Sequence, residues 1–237
     1  MLLQVDVAAL EIRTLAYLSQ DNVLMQELLD GVDIHTDNQN KFGLPSRLIA
    51  KIFVFKLVYG ASAYSFAKDP DFVAVSKVEK YWQTVIDAYY DKYKGVKIWH
   101  ETIIRTVIET GKLITPTGRE LIFEKRDGKY REPQIKNYPP QSLGADLVAL
   151  ARVSAFNRLN KLGYGESCLL VNTVHDSLIL DYDSNICDIE VISNLLYSVF
   201  EDIPKNFEKM FKTSFNVPMA CEIQYGVNWK DMEIYHA

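Results

Sequence analysis

The chain has 237 residues, 48% of them hydrophobic, and carries 26 Lys and Arg against 31 Asp and Glu, a formal net charge of −5. That length and apolar share allow a substantial core in one large domain or two intimate ones. The acidic balance argues against a protein that binds nucleic acid through a wholly basic surface, while leaving room for a local basic groove.

Leu2 to Val7 is a short apolar run with Asp6 near its end, and it reads as a buried strand. Ala8 to Leu18 turns helical. Asp33-Ile34-His35-Thr36 opens another helix, with Asp33 or Thr36 as its cap. Pro45-Ser46 opens the helix Arg47 to Tyr59, which Gly60 ends, and Asp69-Pro70-Asp71 is a break. Val75 to Tyr93 and Val96 to Thr110 read as two helices on either side of Lys94-Gly95. Gly111 to Phe123 alternates as a hairpin, and Asp127-Gly128 is a further turn. Pro139-Pro140 precedes a long helix from Gln141 to Leu162. Ser167 to Thr173 and Ser177 to Tyr182 form a hairpin around His175-Asp176. Ile186 to Lys212 is helical with an interruption at Pro204, and Val217 to Tyr225 is a last strand. Strands at the start and in the final third, with a helical block between, indicate an α+β domain with a helical insertion.

Cys168, Cys187 and Cys221 show no metal-ligand spacing, and the expected compartment is reduced and cytoplasmic. Asp6, Glu11 and Arg13 interrupt the start, so no secretory leader is expected. Lys51 and Lys56 make the apolar stretch Ile49 to Ala67 a helix of a soluble protein, and no membrane partner is expected.

Asp6 ends a buried strand and Asp176 sits at a hairpin tip, so their carboxylates converge if the two strands are neighbours. Two acids in an apolar setting repel unless cations neutralise them. Two Mg²⁺ ions roughly 3.5–4 Å apart can activate a 3′-hydroxyl and stabilise a leaving pyrophosphate. The plainer alternative is a pair of solvated turn aspartates; the apolar strand into Asp6 and the His beside Asp176 weigh against it. Arg47, Lys51, Phe55 and Tyr59 recur every four residues, which lines two cations and two aromatic rings along one helical stripe. Such a stripe suits a nucleoside triphosphate, with phosphates on the cations near a helix N-terminus and the base on a ring. Chance amphipathicity is the competing explanation.

Asp6-x4-Glu11-x-Arg13, then Asp33-Ile34-His35, then Arg47-x3-Lys51-x3-Phe55-x3-Tyr59-Gly60, then Val174-His175-Asp176, together resemble the motifs of family A DNA polymerases, in the same order. Asn137-x3-Gln141 sits where that family has a primer–template-contacting Asn and Gln, and Gly226-x-Asn228-Trp229 resembles its carboxy-terminal tail. The run Asp33 to Gln39 and its short spacing to Arg47 look most like the phage replicative branch. The resemblance implies an α+β right-hand palm, an antiparallel sheet with helices, carrying a helical fingers insertion: palm over 1–20 and 131–237, fingers over 21–130.

Carried onto this chain, the resemblance makes Asp6 and Asp176 the acids for two Mg²⁺ ions, with the Val7 carbonyl as a further ligand. Glu11 would wall off the sugar 2′ position, paired with Tyr59. His35, Arg47 and Lys51 would hold the triphosphate, Lys51 also giving a proton to the leaving pyrophosphate, and Phe55 would stack on the incoming nucleotide. Arg13, Asn137, Gln141 and His175 would touch DNA, Asn137 and Gln141 in the minor groove and His175 at the primer end. The chain departs from the family pattern at Val7, Ala8 and Ala9. Lys56 replaces a Gly and is expected to add a cation near the template path. Ser177 replaces a Glu, and Pro133 an Arg, for which Arg131 or Lys136 are the substitutes. The implied activity is primer extension with deoxynucleotides on template DNA. A thumb and an exonuclease are expected on a second polypeptide, in the cytoplasm of a bacterium, including a phage-infected one. The alternatives are a catalytically weakened palm acting as an assembly subunit of a replication complex, and a single-subunit RNA polymerase relative, against which Glu11 and Phe55 argue.

Overall fold

The computed structural model describes residues 1–236. Strand β1 (Leu2–Val7) leads into helices α1 (Leu10–Ser19), α2 (Asn22–Leu29), α3 (Ile34–Phe42), α4 (Arg47–Val58), α5 (Ala63–Lys68), α6 (Glu79–Lys92) and α7 (Lys94–Thr110). Strands β2 (Lys112–Ile114) and β3 (Glu120–Ile122) follow, then the long helix α8 (Glu132–Lys161) and strands β4 (Cys168–Val174) and β5 (Ser177–Tyr182). Helices α9 (Ile189–Glu201) and α10 (Ile203–Phe211), strand β6 (Cys221–Gly226), a 3-10 turn and β7 (Glu233–Ile234) complete it. The chain divides into two compact units, one made of Met1–Thr14 with Ser142–Ala237, the other of Leu15–Gln141.

The first unit is built on an antiparallel five-stranded sheet in the order β4-β5-β1-β6-β7. β1 lies at its centre because it alternates: Leu3, Val5 and Val7 are buried, while Leu2, Gln4 and Asp6 share the other face. The register sets Asp6 opposite Ser177 on β5 and opposite Glu222 on β6. A bulge between Leu170 and Asn172 irregularises the edge strand β4. Helix α9, capped by Asp188, buries Ile192, Leu196, Val199 and Phe200 and packs against β6. Pro204 falls in the first turn of α10, where a missing N–H costs nothing.

The second unit is helical, with an aromatic core around Trp82. The rings of Phe53, Phe66 and Phe72 lie 6.1, 5.4 and 5.1 Å from it, and its indole N–H donates to the Ser76 carbonyl at 2.9 Å. Each such aromatic pair adds about 1 kcal/mol beyond its buried area. Asp21 is buried and serves two helices. One carboxylate oxygen caps α2 through the amides of Val23 and Leu24, and the other accepts from the Gly95 amide at 2.6 Å in the first turn of α7. Gly95 allows that approach, since a Cβ there would lie 2.8 Å from the Asp21 Cα. A smaller cluster of Ile103, Val107, Leu113, Phe123 and Ile135 seats the β2–β3 hairpin.

The α+β class and the antiparallel sheet expected from the sequence are present, with differences in detail. Helix α8 starts at Glu132 and runs through Pro139 and Pro140, where a start after the prolines was expected. The two prolines leave the Ile135 and Lys136 carbonyls without their helical donors. Both rings are buried, and packing on either side carries the helix across the gap. Helices α2 and α5 are short capped turns that the hydrophobic period does not reveal. α6 starts at Glu79, later than Val75, because Phe72 to Ser76 closes tight turns onto Asp69 and Phe72. The strand expected from Val217 begins at Cys221, as β6, and the short β7 follows it; Val217 and Met219 are buried without strand pairing. Among the described residues no helix is long and apolar enough to cross a membrane.

Candidate active site

In the sheet unit the candidate acids are placed by strand register. The Val7 amide donates to the Asp176 carbonyl at 3.2 Å, so the loop bearing Asp176 is bonded to the residue next to Asp6. Both side chains are half-buried. With Val174 paired to Ser177, His175 and Asp176 form a two-residue hairpin loop, and His175 takes a left-handed φ of 53°. That conformation costs a non-Gly residue roughly 1–2 kcal/mol and holds the exposed imidazole at the tip. Ser177 is buried and donates its hydroxyl proton to Asp6 Oδ2 at 2.5 Å. The position where an acid was expected is therefore filled by a neutral donor to the first acid.

Arg13, expected to touch DNA, is buried. It is 8% exposed, and its guanidinium donates to the Ala8 carbonyl at 2.7 Å and to the Pro218 carbonyl. Burial lowers its pKa from the ordinary value. It braces the turn at Ala8-Ala9, where Ala9 has φ 52°. Glu11 is half-buried in the first turn of α1.

In the helical unit the cationic stripe lies on α4. Ser46 caps that helix, and Arg47 and Lys51 are exposed in its first turns. Lys51 Nζ stands 5.9 Å from the Phe55 ring centroid, and the rings of Phe55 and Tyr59 meet edge-on at 6.2 Å. Arg47 donates from Nε to Asp33 Oδ2 at 2.6 Å, which holds the Asp33 carboxyl far below the usual carboxylate range. Asp33 also caps α3 through the amides of His35 and Thr36, so one carboxylate ties the helix of His35 to the helix of Arg47. His35 is buried with its ring 6.4 Å from Phe55, and its Nδ1 has no hydrogen-bond partner. Burial lowers its pKa most, and the charges of Arg47 and Lys51 add to that. It is a neutral imidazole beside two cations, suited to hydrogen-bonding an anion without adding charge.

Lys56 does not add a free cation. Its Nζ pairs with Asp69 at 2.6 Å and Asp71 at 2.9 Å and lies over the Phe72 ring. Asn137 and Gln141 are four residues apart on α8 and share a face; Gln141 is exposed, and the Asn137 Oδ1 is buried without a partner. Pro133 packs where Gly60 turns with φ 89°, and a Cβ on Gly60 would come within 2.8 Å of its Cα. Of the substitutes for the missing Arg, Lys136 lies 3.7 Å from Glu132 and Arg131 is exposed.

Among the described residues no group of three or more His, Cys, Asp or Glu is placed to hold a metal ion. Mg²⁺ is ordinarily held by one or two carboxylates together with substrate phosphates and water, not by an all-protein cage. Asp6, Asp176 and a main-chain carbonyl are oxygen donors of that kind, and they fit it. Glu222, directly across from Asp6 on β6, belongs to the same face and was missed from the sequence. Its signal is the alternation Cys221-Glu222-Ile223-Gln224, legible only once β6 is known to pair with β1. The acids make the surroundings electronegative: burial, then Glu201 and Asp6, push the Cys221 thiol up to about 12.

A family model described as DNA polymerase family A matches residues 1–231. DNA polymerase I of Pseudomonas aeruginosa is 29% identical over 97% of this chain, and thermostable DNA polymerase I of Thermus aquaticus 28% identical over 97%. The chain spans 25% and 27% of those two proteins. Among solved structures, the POL domain of Pol1 from M. smegmatis in complex with DNA primer-template and dNTP superposes with a TM-score of 0.79 at 21% identity. That likeness covers 96% of this chain and 40% of the other and shows the fold.

Proposed function

The chain belongs to DNA polymerase family A, and from that premise we propose that it is the palm and fingers of a DNA-directed DNA polymerase. Palm residues 1–20 and 131–237 carry the acids, and fingers residues 21–130 carry the triphosphate cations. The reaction is addition of deoxynucleotides to a primer 3′ end on template DNA. The observation that carries this reading is the pairing of β1 with β5, which sets Asp6 opposite Ser177 and bonds Val7 to Asp176.

Asp6, Asp176 and the Val7 carbonyl are the groups to hold two Mg²⁺ ions. When bound, the ions supply Lewis-acid activation of the primer hydroxyl and neutralise charge on the leaving pyrophosphate. Arg47 and Lys51 take the phosphates with His35 as a neutral donor, and Lys51 gives the proton that pyrophosphate needs on leaving. Phe55 stacks on the nucleotide, and Glu11 excludes a ribose 2′-hydroxyl. His175 meets the primer end; Asn137 and Gln141 donate from their side-chain amides to the minor-groove acceptors that every correct pair presents. The run Asp33 to Gln39 supports the phage replicative branch, and with it a bacterial cytoplasm as the place of action. Duplex grip is proposed to come from a separate polypeptide bearing thumb and exonuclease.

Ser177 in place of an acid favours a second reading, a catalytically weakened palm that serves as an assembly subunit. Primer extension with four deoxynucleotides and Mg²⁺, by the chain alone and with a thumb-bearing polypeptide, separates the two. Template-directed extension supports the polymerase; its absence in every combination supports the assembly subunit.

A further inference from the structure

Asp6 is the end of a hydrogen-bond chain that starts at the carboxy-terminal tail. The Trp229 indole N–H donates to Gln4 Oε1 at 3.1 Å, Gln4 Nε2 donates to Ser177 Oγ at 3.4 Å, and Ser177 Oγ donates to Asp6 Oδ2 at 2.5 Å. Its direction follows from chemistry. An indole can only donate, so the Gln4 amide must turn its oxygen toward Trp229 and its NH₂ toward Ser177. Ser177 then receives a proton from Gln4 and has its single proton left for Asp6. Strand geometry assembles the parts: Gln4 and Asp6 are two residues apart on one face of β1, and Ser177 is the register partner of Asp6. Asn228 holds the tail turn in place through the amides of Lys230 and Asp231.

We propose that Trp229, Gln4 and Ser177 are positioning residues, a one-way relay that clamps Asp6 Oδ2 and leaves Oδ1 available to a divalent cation. An acid at 177 accepts hydrogen bonds and repels Asp6; a serine fed by Gln4 donates and orients it. Here a neutral donor replaces a second negative charge, and the tail, through Trp229, sets the angle of a carboxylate at the start of the chain. The inference rests on the metal-binding reading of Asp6 and Asp176.

The test is Mn²⁺ binding to the full chain, read by electron paramagnetic resonance of the free ion, for variants that keep the wild-type melting temperature. Asp6→Ala and Asp176→Ala abolish the site. Ser177→Ala weakens it about tenfold, the usual scale for losing a partner of a metal ligand. Ser177→Thr, which keeps the hydroxyl, binds as wild type does. Trp229→Phe lies on an exposed side chain, keeps the ring and loses only the N–H; it weakens binding less than Ser177→Ala but measurably. Loss of binding in the Asp variants with unchanged affinity in Ser177→Ala and Trp229→Phe overturns the relay. Binding that neither Asp variant alters overturns the metal reading, and the relay with it.

Discussion

The two units hold their candidate groups by different means. In the sheet unit Asp6, Ser177 and Glu222 are fixed by strand register, a property of many backbone pairs at once, and a slip of one residue would move them all to the other face. In the helical unit Arg47, Lys51 and His35 are fixed by helix period and two caps, Asp33 and Ser46, and the cations stay exposed. The sheet sets Asp6 and Glu222 directly across from each other on neighbouring strands. The helices gather cations, one of which already has a protein partner in Asp33. Position is therefore robust in the first unit and adjustable in the second.

The largest stability effect that sharpens this contrast belongs to Asp21. Asp21→Ala removes caps from two helices of one unit and leaves the Gly95 amide without its acceptor. We expect a loss of about 3 kcal/mol, read as a lower urea midpoint. Next, Lys51→Ala should lower kcat/KM for the nucleotide roughly 10- to 100-fold, the loss of one hydrogen bond to a charged group, with the urea midpoint unchanged. An equal fall in stability would mean that Lys51 is structural.

His100 comes third. It is buried, its Nδ1 lies 3.1 Å from the Tyr90 hydroxyl, and burial, then Lys136, lower its pKa to about 3. The unfolded imidazole takes a proton below about 6.5, whereas the folded one stays neutral down to about 3. Its share of stability is thus complete above pH 6.5 and is lost as pH falls through that window. The stability difference between wild type and His100→Gln should shrink by about 1.4 kcal/mol per pH unit there, measured by urea titrations at pH 7, 6, 5 and 4. The smallest effect is that of Asp33→Asn. The Asp33–Arg47 pair is half exposed and worth about 0.5 kcal/mol, so freeing Arg47 should tighten nucleotide binding about two- to threefold by equilibrium titration.

Much of this was legible in the sequence where local signals are strong. Leu2 to Val7 is a short apolar run, Asp33 and Pro45-Ser46 open helices, and Arg47, Lys51, Phe55 and Tyr59 keep a four-residue step. What was not legible depends on partners distant in sequence. Ser177 reads as a lost acid until β1 pairs with β5 and makes it a donor to Asp6. Lys56 reads as a free cation until Asp69 and Asp71 close on it, and Arg13 as an exposed cation until Pro218 arrives 205 residues later. The start of α8 was misplaced because proline rules are local, while the packing that carries a helix across Pro139 and Pro140 is not.

The central claim is that Asp6 and Asp176 serve a nucleotidyl transfer. Single-nucleotide addition to a primer, timed in rapid-quench mixing with Mg²⁺, with and without an added thumb-bearing polypeptide, compares wild type with Asp6→Asn and Asp176→Asn. Loss of several kcal/mol of charge stabilisation should slow each variant by about a thousandfold or more, with folding intact by circular dichroism. Rates within a few fold of wild type in either variant would contradict the claim.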